Sequence, residues 1–225
     1  EIRLSLVGSE MCIRDSLIQG VAGAIMIGAT LYLTFHLQFV LGMGALPAGA
    51  ATLPLPIATM IIAPIATKLL TVIGPRPMLI VGPLVAAAGL FLLSGITPDG
   101  AYIVQIAPAL LLLGIGMGFV FIPLQNLALT GVAPHDAGIA SAVANSAMQI
   151  GGSIGLSVFT AVYAASVGGH AQTEVSPTQL TDAYGWVFIV ASILMVGAAV
   201  IAAVMVRGSK DELMPSQPGL AVGAH

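Results

Sequence analysis

Apolar positions along this chain gather into six long blocks, separated by short polar interruptions rather than alternating with polar positions. The blocks cover residues 17–41, 46–70, 78–96, 102–123, 138–167 and 184–206. Each is long enough to cross a hydrocarbon core of about 30 Å as an α-helix rising 1.5 Å per residue. Backbone amides in lipid must find their partners within the segment, so these blocks predict helices. The two-residue alternation of a membrane barrel is missing from them. The second block carries Pro47, Pro54, Pro56 and Pro64 and predicts a kinked helix.

Composition agrees with lipid as the main solvent. Of 225 residues, 58% are hydrophobic and only 7% charged, against about 25% charged in soluble domains. The predicted class is an all-α integral membrane protein with six transmembrane helices in one bundle. No basic patch suggests nucleic acid. The single cysteine, Cys12, excludes an internal disulfide.

The first 16 residues differ from the rest. They hold Glu1, Arg3, Glu10, Arg14 and Asp15, together with Cys12. Their order lacks the basic start, apolar core and cleavage site of a signal peptide. The string resembles a translated adaptor sequence, so residues 1–16 read as a non-native leader. Residues 17–207 then form the bundle, and 208–225, polar with two prolines, form a tail expected to be disordered.

Charge sets the expected orientation. Asp99, Glu174 and Asp182 fall in the loops after the first, third and fifth blocks, whereas Lys68, Arg76, Arg207 and Lys210 fall on the other side. The positive-inside rule places the second group, and the C-terminus, in the cytoplasm.

Several motifs invite chemistry. Gly151-Gly152-Ser153-Ile154-Gly155 spells a hydrolase nucleophile elbow, but an elbow needs a strand before it. In a membrane helix the same small residues predict close packing, as do Gly114 and Gly118. The run Lys210-Asp211-Glu212-Leu213 works as a retention signal only at a C-terminus. His36, His135, His170 and His225 have no ligand spacing, so no metal is expected, and no cofactor motif survives.

Polar residues inside the blocks are more informative. Thr30, Thr34 and Gln38 recur every four residues and share a helix face. Ser141, Asn145 and Gln149 repeat that step in the fifth block. Amides facing lipid are costly, so each stripe faces a translocation cavity or hydrogen-bonds another helix. His36 is the one in-span imidazole of the sequence. About five residues separate it from the end of its span, which places it at the outer interface, wetted there; a cavity or partner within the membrane is the other reading.

With these residues in view, the sequence resembles the C-terminal six-helix domain of the major facilitator superfamily, and within it the fourteen-span drug:proton antiporters of EmrB/QacA type. Leu37-Gln38-Phe39-Val40-Leu41-Gly42 with Pro47-Ala48-Gly49 looks like the element closing the domain's first helix. Gly74-Pro75-Arg76-Pro77 looks like a reduced cytoplasmic turn motif. Gly114, Gly116, Gly118 and Pro123 resemble the glycine-rich fourth helix, and Ala137 to Ser141 with Asn145 and Gln149 to Gly152 resemble the fifth. Met148 departs from the family, which often has arginine there.

The resemblance implies a missing N-terminal half that carries the proton carboxylate, a bacterial plasma-membrane location, and exchange of protons for a lipophilic small molecule. No Asp or Glu is expected inside the six spans. A self-contained six-helix channel or permease subunit working as a homodimer is the alternative, and an intramembrane hydrolase using Ser153 a more distant one.

Overall fold

The computed structural model describes residues 2–129, 135–168 and 175–205, with side chains for 15–127, 135–168 and 175–204. His170, Glu174, Arg207, the Lys210–Leu213 match, His225 and the expected tail lie outside the described residues. The described chain is helical, and six of its stretches are long and apolar enough to cross a membrane.

The first span is one helix, α1 (Ile2–Phe35), continued by a π-turn (His36–Val40). The helix begins inside the stretch set apart as a leader, and the boundary at Leu17 leaves no mark on its backbone. The second span is broken rather than merely kinked: α2 (Ala45–Ala51) stops at Thr52, and α3 (Pro54–Ile73) restarts after Leu53. Proline is tolerated in a helix's first turn, where its missing N–H has no partner to lose. Pro54 and Pro56 sit there, while the Leu55 and Ile57 amides reach back to the Thr52 and Leu53 carbonyls. Tyr102 ties the break down by donating its hydroxyl to the Ala51 carbonyl at 2.6 Å.

α4 (Pro75–Ser94) follows after a single residue, Gly74. Gly74 has φ +80° and donates its N–H to the Leu70 carbonyl. A side chain would strain that backbone, which explains the glycine of the turn motif. Arg76 is exposed in the first turn of α4. The fourth span is a short turn, α5 (Tyr102–Gln105), and a long helix, α6 (Ala107–Leu129). α7 (Ala137–Ser166) and α8 (Pro177–Met205) complete the set.

The sixth helix starts at Pro177, well before the expected Tyr184. Asp182 is therefore not a loop residue; it lies exposed on α8, inside the stretch from Pro177 to Val204 that could span. Asp15 likewise opens the first spanning stretch. The expectation of spans free of carboxylates is corrected at these two ends. Hydropathy measures the lipid-embedded part of a helix and misses the turns that continue beyond it.

Paired contacts fix the directions of the helices. Gly20, Ala24 and Gly28 of α1 meet Gly151, Gly155 and Phe159 of α7 in rising order, so the two run parallel. Gly114 meets Leu55 and Gly118 meets Ile62, so α6 runs parallel to α3. Gly82 faces Gly116 and Gly89 faces Ala109, so α4 and α6 are antiparallel. The Ser192 hydroxyl on α8 donates to the Ala87 carbonyl on α4 at 3.0 Å. One apolar core joins these helices, with Leu33, Leu90, Leu93, Phe159, Tyr184 and Phe188 fully enclosed.

Burial is uneven. The most apolar windows of the first, third, fourth and sixth spans are 44–56% buried, whereas those of the second and fifth are 17% buried. Two of six helices thus leave most of their surface uncovered.

Candidate translocation face

α7 has three distinct sides. Gly152, Gly155, Phe159 and Tyr163 are buried in the bundle. Ile139, Ile150, Ile154 and Val158 form an exposed apolar side. Between them runs the polar stripe: Ser141 is half-buried, and Asn145 and Gln149 are exposed. The same four-residue step continues to Ser153 and Ser157, also exposed, which the sequence reading did not include. The same spacing is in the sequence, where Ser153 also falls within the elbow-like Gly151–Gly155 motif.

The groups of this stripe bond along their own helix. The Asn145 amide donates to the Ser141 carbonyl at 3.1 Å, Ser153 Oγ to the Gln149 carbonyl at 3.0 Å, and Ser157 Oγ to the Ser153 carbonyl at 2.9 Å. Hydroxyls use this i−4 bond to satisfy themselves without leaving the helix surface. Ser153 sits mid-helix, with no strand before it among the described residues.

The glycines lie on the buried side. Gly151 packs on Gly20, Gly152 beside Gly23 and Ile27, and Gly155 on Ala24; Gly114 and Gly118 lie against α3. Met148 presses its carbonyl toward Gly23, and its sulfur accepts a weak hydrogen bond at 3.9 Å from the buried amide of Gln19.

Thr30, Thr34 and Gln38 on the first span are all half-buried. Thr34 Oγ1 donates to the Thr30 carbonyl at 2.8 Å. The π-turn begins between Thr34 and Gln38, and its wider turn moves Gln38 off the strict four-residue register. The two stripes do not share a depth. Gln149 is level with Gly20, while Thr30 is level with Phe159 and Thr160. Ten residues from Gly20 to Thr30 amount to about 15 Å of helix. Ser153, Ser157 and Thr160 occupy the interval, and Thr160 Oγ1 accepts from the Tyr32 hydroxyl at 3.1 Å.

His36 does not lie at a wetted interface. It is fully buried, and so is Leu37 after it. Tyr184 of α8, itself fully buried, packs beside the imidazole, with ring centroids 6.3 Å apart and nearly perpendicular planes.

A separate groove of about 540 Å³ runs between α1, α7 and α8, bounded by Leu17, Val21, Ile150, Ile154, Val158 and Leu194. Its walls are apolar, and neither polar stripe lines it.

Comparison with known proteins supplies the family. The Major Facilitator Superfamily model matches residues 4–156. The puromycin resistance protein of Streptomyces alboniger is 34% identical over 184 residues, covering 80% of this chain and 37% of that protein. The cephamycin export protein of Amycolatopsis lactamdurans is 32% identical, covering 82% of this chain and 37% of its own length. A tetracenomycin C resistance and export protein of Streptomyces glaucescens is 34% identical over 63% of the chain and 26% of its own. The chain thus spans well under half the length of these relatives. Six spanning helices, this family match and these similarities lead to one assignment: the chain belongs to the major facilitator superfamily and is a multi-pass membrane protein.

Proposed function

We propose that this chain is the C-terminal six-helix half of a proton-coupled exporter of drugs or other lipophilic small molecules. It sits in a bacterial plasma membrane with its C-terminus in the cytoplasm and performs no enzymatic chemistry. The observation that carries the reading is the exposed amide-bearing side of α7, where Asn145 and Gln149 are uncovered on a helix whose apolar stretch is only 17% buried. Lipid is a poor neighbour for a carboxamide. Water in a cavity, or a facing helix, is a good one. Transporters of this architecture place substrate sites at the interface of two repeats, and a partner half laid on α3 and α7 makes such an interface.

Asn145, Gln149, Ser153, Thr30, Thr34 and Gln38 are the proposed polar lining. Relatives named for resistance and export of puromycin, cephamycin and tetracenomycin C support a drug-like cargo. The resemblance to drug:proton antiporters supports the proton. Charge at Lys68 and Arg76, opposite Asp99, supports the orientation. The composition of residues 1–16 supports treating them as a leader, even though α1 and the family match both extend into them. A second copy of the chain would also cover α3 and α7. The uncovered length of the relatives favours a different half over a homodimer.

The test is reconstitution. The 225-residue chain in liposomes should not drive uptake or efflux of a lipophilic dye under a proton gradient, and the chain joined to a complementary half should. Proton-driven dye transport by the chain alone overturns the half-transporter reading.

A further inference from the structure

Among the described residues, deeply buried polar atoms lie apart from both stripes, at the C-terminal end of the first span. His36 is 0% exposed, and neither Nδ1 nor Nε2 has a hydrogen-bond partner among the described residues. Tyr184 is 0% exposed, and its hydroxyl is in the same condition. The two rings meet edge to face at 6.3 Å. Tyr184 also stacks on Tyr163 at 5.6 Å and contacts Tyr32 at 5.9 Å, while Tyr32 and Tyr163 are 5.7 Å apart. Three helices, α1, α7 and α8, therefore converge on one tyrosine–histidine cluster. The π-turn starts at His36 itself, whose carbonyl accepts from Leu41 N at 3.1 Å. Such insertions concentrate at functional sites.

Buried nitrogen and hydroxyl atoms of this kind are almost always bonded to protein or to an internal water. A neutral imidazole presents one N–H donor and one acceptor nitrogen, and a phenol can serve as either. That set matches a water molecule, which needs two to four polar partners. Asp182, two residues before Tyr184 on α8, is exposed. α8 faces His36 with Tyr184, and α2, Ala45–Ala51, contains no titratable residue.

We propose that His36 and Tyr184 form an internal water-binding site enclosed by Tyr32 and Tyr163. The site is independent of the export reading, since it needs only this chain's own helices. Tyr32 also bonds Thr160 at the polar edge of α7.

Hydroxyl-radical footprinting of the chain in lipid nanodiscs tests this, because radicals generated on bound water label its neighbours even when they are buried. After correction for intrinsic reactivity, His36 and Tyr184 should be labelled several-fold faster than the equally enclosed Phe159 and Phe188. Labelling no faster than those phenylalanines overturns the proposal. His36→Phe keeps the ring and removes both nitrogens, so Tyr184 labelling should drop to the Phe188 level; unchanged labelling also overturns it. His36→Gln, which keeps a donor and an acceptor, should retain the signal and serves where His36→Phe does not fold. The wild-type comparison decides the matter even if neither variant folds.

Discussion

Gly151 of α7 lies on Gly20 of α1 so closely that a methyl group added at Gly151 would meet the Gly20 Cα and carbonyl. The obstacle is backbone, which cannot swing aside as a side-chain tip can. Gly151→Ala must push two parallel helices apart and is expected to cost roughly 1–3 kcal/mol, the range for overpacking. Thermal unfolding in detergent checks this. Gly197→Ala is the control, because nothing lies within 4 Å of its added methyl, and its midpoint should not fall.

Asn145 bonds only along its own helix in the contacts described, to the Ser141 carbonyl. An amide gluing helices together is worth roughly 0.6–2 kcal/mol. Asn145→Ala and Gln149→Ala are therefore expected to change the stability of this chain by less than about 0.5 kcal/mol, below that range. In the full-length exporter they should shift the relative resistance to different drugs. Uniform loss of resistance in proportion to loss of folded protein would reject the cavity assignment.

Tyr102 holds the broken second span through its hydrogen bond to Ala51. Tyr102→Phe removes only the hydroxyl and is expected to cost about 1 kcal/mol. The loss should be local. Hydrogen exchange should accelerate around Thr52 and Leu53 and stay unchanged in α4, and a uniform acceleration would contradict this assignment.

Orientation can be read with cysteines. In a Cys12→Ser background, Asp99→Cys should react with an impermeant thiol reagent added outside intact cells, and Arg76→Cys should not. Both positions are exposed, so protection reports the side of the membrane rather than burial. The opposite pattern would invert the topology.

The six spans were legible because lipid imposes one requirement on every turn that crosses it, and runs such as residues 184–206 satisfy it visibly. Helix ends obey no such rule. Residues 177–183 are polar enough to resemble a loop, yet they continue α8. The π-turn at His36–Val40 has no sequence signature at all. The glycine contacts of α7 were legible as small residues in a long apolar helix. Their partner, α1, was not, because sequence spacing says nothing about which helices become neighbours. The α7 stripe was read to Gln149 and cut short of Ser157 only because a competing motif claimed Ser153.

The offset between Gln149 and Thr30 sets a length scale on recognition. On the proposed lining, a cargo molecule much shorter than about 15 Å of helix rise would contact one set of donors at a time. Its passage along this half would be a relay, released by one set of donors before it is taken up by the next. Discrimination would then be exercised twice, at separate checkpoints, and a compound that satisfies one but not the other would stall on the way rather than be refused at entry. Substitutions at the two ends should therefore leave different kinetic fingerprints, one in loading and the other in discharge.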